Sequence, residues 1–230
     1  MNKDVMLGIE TSQRRGSVAA RVGRGEIAVE WLRNEREQSD DLMPAIVRLL
    51  ERMGRRVQDV RGIGVSIGPG GFTGLRIAIA SVKMLAEVLG AKVAAVPSAL
   101  VAAEGVEAKG RILVGLASKG ETMWATRLIR NEAGWRIDGV PELADVNTLD
   151  LAEIACVVVD SHAPNALRAR CAERGVKVEA PEWNAGKCLR IAERMIERGE
   201  SLEGMELSPL YPRQPEAVTL WERREGAARE

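Results

Sequence analysis

Apolar and polar positions in the first half of the chain follow the period of strands and then that of helices. Three runs with strand character come first, joined by links short enough for hairpins, and two helix–strand units follow. The strands are expected at 5–12, 16–23, 26–33, 60–68 and 91–97, and the helices at 39–53 and 73–89.

The second half predicts a smaller set of strands and helices after a polar connector at 104–109. Two apolar runs separated by a Lys-Gly pair indicate a hairpin, and a buried strand and two helices follow. These elements are expected at 111–118, 121–130, 155–161, 163–174 and 184–199.

The order β-β-β-α-β-α-β of the first half is that of a ribonuclease-H-like lobe, the unit duplicated in actin-like and sugar-kinase-like ATPases. The expected fold class is therefore α/β, with two lobes built on mixed sheets. We expect the first lobe over 1–103 and a smaller second lobe over 104–205. A C-terminal segment, 206–230, is expected to dock back through the apolar stretch 207–211 and to end in disorder.

Composition indicates an ordinary globular protein. Basic and acidic residues balance at 33 each, and 46% of the residues are hydrophobic, so the bulk charge indicates neither nucleic acid nor a membrane surface. The first residues lack the apolar stretch and cleavage site of a signal peptide, and no segment approaches the ~18 apolar residues of a membrane span. We expect a cytoplasmic protein with no membrane partner.

Cysteine and histidine usage limits the chemistry. Cys156, Cys171 and Cys188 are widely spaced and form no CxxC pair, which favours small core residues over disulfides or a zinc site. The one histidine, His162, stands between a strand and a helix, where a loop or capping role is favoured over catalysis. We predict no catalytic residue and no metal ligand.

A glycine-rich loop, GPGGFTG over 68–74, joins a buried strand to a helix. It lacks the Gly-Lys-Ser/Thr of a Walker A motif, and Thr73 stands where the dinucleotide fingerprint requires its third glycine. A strand, a glycine turn and a helix N-terminus can hold an anion. The same features also suit a tight turn that approaches neighbouring backbone closely, and the sequence leaves both readings open.

The helix after this loop is apolar nearly all round. Its charges, Arg76, Lys83 and Glu87, fall within a stripe roughly 40° wide at ~100° per residue. One apolar face can cover the sheet, and the other needs a cover of its own. The helix at 39–53 likewise has more apolar residues than one face in contact with the sheet would need. The two helices either cover each other or form a protein–protein interface, which we favour because Ala80 and Ser81 would let another helix approach.

Three motifs carry a resemblance to a known family: GIETSQRRGSVAA near the start, GPGGFTGLRIAIASVKMLAE in the middle and PLYPRQPEA near the end. They resemble the TsaB (YeaZ) family of bacterial tRNA threonylcarbamoyladenosine biosynthesis proteins. The central motif matches the family's GPGSFTGLR with Gly71 in place of its serine. The resemblance implies an actin-like two-lobe (ASKHA) fold and a part in modifying the adenosine beside the tRNA anticodon.

In that family the protein is an accessory subunit that pairs with the larger, metal-binding catalytic paralogue TsaD, which the ATPase TsaE joins. The resemblance therefore implies a TsaD-like and a TsaE-like partner, a homodimer when the chain is alone, and tRNA contacted through the complex. We expect this chain to require no cofactor of its own. The resemblance leaves open whether ATP or ADP with Mg binds at the interface of the complex. The alternative function is an actin-like ATP-dependent small-molecule kinase.

Candidate site residues fall into two sets, and none is expected to be catalytic. The nucleotide or phosphate candidates are Glu10, Thr11, Ser12, Gly68, Pro69, Gly70, Gly71, Thr73 and Gly74. The interface candidates are Leu42, Ile46, Leu50, Met53, Phe72, Arg76, Ile77, Ala80, Ser81, Met84 and Val88.

The sequence departs from the family at two further places. Glu10 replaces the more usual aspartate, and we favour a role in ordering the adjacent loop over one in holding magnesium. Ala117-Ser118-Lys119 stands where the family often has Asp-Ala-Arg, so a contact carried over to that hairpin is in doubt.

Overall fold

The computed structural model of the protein describes residues 4–33 and 38–212, with the backbone alone for 38–40. The described residues form two mixed β-sheets with helices packed on them, which confirms the expected α/β class. The strands are β1 Val5–Glu10, β2 Ser17–Val22, β3 Ala28–Trp31, β4 Val60–Gly68, β5 Lys92–Pro97, β6 Arg111–Lys119, β7 Thr122–Asn131, β8 Gly134–Ile137, β9 Glu142–Asp145, β10 Ile154–Val159 and β11 Lys177–Glu179. The helices are α1 Gln38–Arg52, α2 Phe72–Leu89, α3 Ser98–Ala103, α4 Asn165–Glu173 and α5 Ala185–Glu197, with 3-10 turns at Val57–Asp59 and Gly204–Glu206.

The first sheet has the strand order β3-β2-β1-β4-β5. Its first three strands are antiparallel, and β4 and β5 run parallel to β1 through the crossover helices α1 and α2. The predicted strand at 60–68 matches β4 at both ends, and α1 and α2 each begin one residue earlier than expected. β1 ends two residues earlier than expected, and Thr11 and Ser12 after it bond to the glycine loop.

The second sheet has the order β11-β10-β6-β7-β8, with β9 paired to β7. The predicted hairpin corresponds to β6 and β7, and Ala117 near its tip takes a φ of 51° at a break in the pairing register. The sequence patterns missed β8, β9, β11 and α3. These elements have three to six residues, too few to establish a period.

Helix α5 packs on the first sheet although it follows the second sheet in the chain. Glycines in β1 and β4 allow this close approach: a Cβ on Gly8 would lie 2.4 Å from the Ala185 carbonyl oxygen, and one on Gly64 would lie 2.2 Å from the Ala192 Cβ. The first sheet is thus covered by α1 and α2 on one face and by α5 on the other. This double cover makes it the main core of the molecule.

The chain stays on the first lobe after α5. Leu207 is buried, and the Leu210 N–H donates to the Ile67 carbonyl at 2.8 Å, beside the glycine loop. The stretch 207–211 therefore docks on the first lobe. The expected disorder of the chain's end falls on 213–230, outside the described residues.

Candidate functional site

The glycine loop packs against the end of β1. The Gly71 N–H donates to the Ser12 carbonyl at 2.7 Å, and the Thr11 hydroxyl donates to the Gly74 carbonyl at 3.0 Å. A Cβ on Gly70 would lie 2.3 Å from the same Ser12 oxygen, so only glycine allows this approach. Gly68 precedes a cis peptide bond to Pro69 and has a φ of +108°, which also favours glycine.

Glu10 lies beneath this loop and is 1% exposed. Its Oε1 accepts the Ser12 N–H at 2.7 Å, and its Oε2 makes no hydrogen bond within the part of the chain that the structure describes. Burial raises the pKa of the Glu10 carboxyl, an effect partly offset by hydrogen bonding with Ser12 and by the nearby Ser66 hydroxyl. A buried carboxyl whose Oε1 accepts the Ser12 N–H holds the turn at Ser12, and this position suits it to ordering the loop.

This packing distinguishes the two readings of the glycine loop. Glu10, Thr11 and Ser12 are almost completely buried, and the inner side of the loop bonds to Thr11 and Ser12 while its outer edge at 70–73 is exposed. A phosphate placed among them would require Gly70 and Ser12 to separate. In this arrangement the inner side of the loop is a tight packing turn, and the buried Glu10, Thr11 and Ser12 leave no space there for a magnesium–nucleotide complex.

The start of α2 carries a small aromatic and cationic cluster. The Arg76 guanidinium lies 3.6 Å from the centroid of the Phe72 ring and donates through Nε to the Tyr211 hydroxyl at 2.8 Å. The rings of Phe72 and Tyr211 are 5.2 Å apart. This contact fixes the returning C-terminal stretch over the first turn of α2.

An apolar surface continues from this cluster along α2. We call Ala80, Met84 and Val88 the outer face of α2; their side chains are exposed, Met84 and Val88 to 72% and 81%, and the stripe of Arg76, Lys83 and Glu87 runs beside them. Exposed apolar side chains of this size on one helix face mark a surface that commonly binds another protein.

Several predicted interface residues lie elsewhere. Leu42, Ile46 and Leu50 are fully buried in the core of the first lobe, so their assignment to a partner contact is corrected: they cover the sheet. Met53, Ile77 and Ser81 are half-buried. The two helices contact each other, as the alternative reading held, but that contact leaves the outer face of α2 uncovered.

Met43 and Val47 of α1 and Met205 of the 3-10 turn beside α2 are exposed apolar residues that the interface prediction omitted. The α1 pair was recognisable as part of the apolar excess of that helix. Met205 was not recognisable, because its place beside α2 arises from the return of the chain, and Gly204 contacts Ala86 of α2.

His162 lies in an exposed turn after β10. Its backbone N–H donates to Asp160 Oδ1 at 2.8 Å, and Asp160 Oδ1 and Ser161 Oγ both approach its ring at the same nitrogen, Nδ1, at 3.8 and 3.5 Å. A catalytic triad needs its acid and its nucleophile on opposite ring nitrogens. The loop reading of His162 therefore fits this geometry.

The cysteines are buried and unpaired, as expected of core residues. Burial raises the pKa of the Cys156 thiol to about 11, which makes it a poor nucleophile at neutral pH. Among residues 4–33 and 38–212 no three histidine, cysteine or acidic side chains cluster as metal ligands. No helix in the described ranges is long and apolar enough to cross a bilayer.

Comparisons with known proteins match both the sequence and the fold. Residues 33–133 match the family model described as TsaD, tRNA N6-adenosine threonylcarbamoyltransferase. A relative from Buchnera aphidicola subsp. Schizaphis graminum, named tRNA threonylcarbamoyladenosine biosynthesis protein TsaB, is 26% identical over 152 residues, which are 64% of this chain and 71% of the relative.

Two solved structures share the fold at 24% identity. YeaZ from Pseudomonas aeruginosa superposes with a TM-score of 0.75 over 90% of this chain and 99% of its own. A structure described as an uncharacterized protein with similarity to peptidase YEAZ from Pseudomonas aeruginosa reaches 0.77 over 91% of this chain and 100% of its own. The two sequence matches show that this chain is similar to TsaB and TsaD proteins, and the solved structures show a shared fold. This fold is the two-lobe actin-like type.

The structure explains why the glycine loop can depart at one position from the motif that it resembles. Gly71 stands where the family motif has serine, and a Cβ there would lie 3.6 Å from the nearest atom outside its neighbours, the Ser12 carbonyl oxygen. Its φ of −62° suits any residue. The position is thus open to a side chain, whereas its neighbour Gly70 is not.

Proposed function

We propose that this chain is a non-catalytic accessory subunit in tRNA threonylcarbamoyladenosine biosynthesis, pairing with and activating a larger TsaD-like paralogue. A TsaE-like ATPase joins the pair, the chain forms a homodimer through the same surface when it is alone, and the complex works in the cytoplasm. The observation that carries the proposal is the outer face of α2, an exposed apolar surface on an otherwise well-packed lobe. The name of the TsaB relative supports a part in tRNA threonylcarbamoyladenosine biosynthesis. The outer face of α2 supports action through pairing with another protein.

The outer face of α2 has the features of a helix–helix contact. Met84 and Val88 lie one turn apart and offer a flexible and a branched apolar side chain for a partner to pack on. Ala80 lies one turn before Met84, and its small side chain would let the backbone of a partner helix come close. Met43 and Val47 on α1 extend the same chemistry to the neighbouring helix. Covering these side chains removes apolar area from water, which drives association at about 25 cal/mol per Å² before the costs of binding.

The first lobe offers weak support for catalysis by this chain. Glu10, the acid expected to face a magnesium–nucleotide complex in a kinase, is buried against Ser12, and the glycine loop is closed on β1. The kinase alternative therefore requires the loop to open. Nucleotide bound at the complex interface would instead meet the exposed outer edge of the loop at Gly71, Phe72 and Thr73.

A reconstituted tRNA-modification assay, run with each protein omitted in turn, tests the proposal. We expect product when this chain accompanies its TsaD-like and TsaE-like partners, and strongly reduced product when it is left out. Modification or ATP hydrolysis by this chain alone would overturn the accessory role and restore the kinase-like reading.

A further inference from the structure

A cleft of about 560 Å³ opens between the two lobes, and its lining residues do not belong to α2. Trp31 at the end of β3 and Arg14 and Arg15 in the β1–β2 turn line it from the first sheet, and Trp183 lines it from the segment between β11 and α5. The β10–α4 turn, with Asp160 and His162, lines it from the second lobe. We call this group of six residues the tryptophan cleft.

Aromatic side chains are scarce in this protein, which makes their placement informative. The chain has five tryptophans, one tyrosine and one phenylalanine, and two of the tryptophans line this one cleft. Trp31 remains 37% exposed, although an indole of its size contributes most when buried. Packing in the hydrophobic core therefore does not explain why the Trp31 ring lies at this place.

Cations accompany the rings. The Arg15 guanidinium lies 4.5 Å from the centroid of the Trp31 ring, a stacked cation–π pair, and Arg14 beside it is exposed at the rim. The acid of the cleft, Asp160, is partly committed to its own turn, where it accepts the His162 N–H. Stacking faces bordered by arginines are the combination that holds an unpaired base together with its phosphate.

From this geometry we infer that the tryptophan cleft binds an unpaired nucleotide of RNA, with the base against the Trp31–Arg15 stack and Trp183 and the backbone phosphates along Arg14 and Arg15. The choice of RNA over a free nucleotide rests on the proposed function, since that reaction acts on tRNA. The site is separate from the glycine loop, and its lining residues are not the Glu10 group.

Fluorescence anisotropy with the purified full-length chain and a labelled stem–loop RNA tests the inference. We expect binding that Trp31→Leu weakens by about tenfold, the loss that one stacked base implies. The double variant Arg14→Gln/Arg15→Gln should weaken binding and reduce the slope of log K against log salt by about 0.7 for each phosphate that the arginines no longer neutralise. Arg24→Gln is the matched control, because it neutralises an exposed arginine in the turn at the opposite end of β2, and it should bind as the natural chain does.

Competition identifies the ligand. A fully paired duplex of the same length, a free mononucleotide and an acidic peptide should each compete much less well than the stem–loop. Equal competition by any of them, no binding of the stem–loop, or an equal reduction of affinity in Arg24→Gln would overturn the inference. Because the readout is direct binding, such a failure leaves the result of the omission assay, and with it the proposed function, standing.

Discussion

The Ser17 hydroxyl accepts a hydrogen bond from the Ala185 N–H at 2.8 Å, and both residues are fully buried. This bond joins β2 to the first residue of α5 across 168 positions of the chain. It secures the helix that covers the second face of the first sheet. The first lobe is therefore completed by a helix that follows the second sheet in sequence.

Replacing Ser17 tests this attachment. We expect Ser17→Ala to lower the free energy of unfolding by about 1–3 kcal/mol, because the Ala185 N–H loses its partner in a buried place. Urea unfolding monitored by circular dichroism measures the loss. Ser161→Ala, at an exposed serine, should change stability by less than about 0.5 kcal/mol, and equal effects of the two variants would contradict the buried attachment.

Adjacent glycines of the loop should respond differently to one substitution. Gly70→Ser places a Cβ against the Ser12 carbonyl oxygen, and we expect it to cost about 1–3 kcal/mol of stability or more. The Cβ of Gly71→Ser would meet nothing closer than 3.6 Å, and serine is a good N-cap for α2, so stability should be unchanged or roughly a few tenths of a kcal/mol higher. Thermal unfolding of both variants provides the measurement, and a similar loss in both would show that the loop is not packed on β1 as described.

Glu10 should make stability fall as the pH rises. Burial raises the pKa of its carboxyl in the folded protein above the unfolded value. The folded state therefore keeps a proton that the unfolded chain has already lost. The contribution of Glu10 to the free energy of unfolding is fully present below the pKa of the unfolded chain, and it is lost as the pH rises through the pKa of the folded protein.

The variant Glu10→Gln keeps the shape of the side chain and removes its ionisation. We expect the free energy of unfolding of Glu10→Gln, relative to the natural chain, to increase as the pH rises above the ordinary glutamate pKa of about 4.3. Urea titrations at several pH values check this trend. A difference that is constant or shrinks with pH would contradict a buried, destabilised carboxylate at this position.

Long periodic elements were predictable from the sequence, and contacts made by distant segments were not. The nine-residue strand β4 and helix α2 were predicted within one residue, since each has enough positions to show its period. The apolar excess of α1 and α2 predicted an interface, and the exposed Met84 and Val88 are consistent with one, but the interface itself stays a prediction. The pattern could not separate buried Leu42, Ile46 and Leu50 from exposed Met43 and Val47, because that division depends on where the sheet lies against the helix.

The glycine loop shows the same limit. Its sequence suited an anion site and a tight turn equally, and what distinguishes them is the position of the Ser12 carbonyl, 58 residues earlier than Gly70. The tryptophan cleft was likewise not recognised, since Trp31 and Trp183 lie far apart in sequence and meet only after α5 returns to the first lobe. Arg14 and Arg15 were visible as a basic pair, but nothing in the sequence placed rings beside them.

Isothermal titration calorimetry of the full-length chain against a TsaD-like paralogue tests the central claim most directly, with Val88→Asp compared with Val140→Asp. Both valines are more than 80% exposed, so neither change should disturb the fold, but Val140 lies outside the first lobe in the turn between β8 and β9. We predict that Val88→Asp weakens pairing by about 2 kcal/mol or more, roughly 30-fold, because it buries an unpaired charge in the contact, while Val140→Asp binds as the natural chain does. Equal affinities for the two variants would contradict pairing through the outer face of α2.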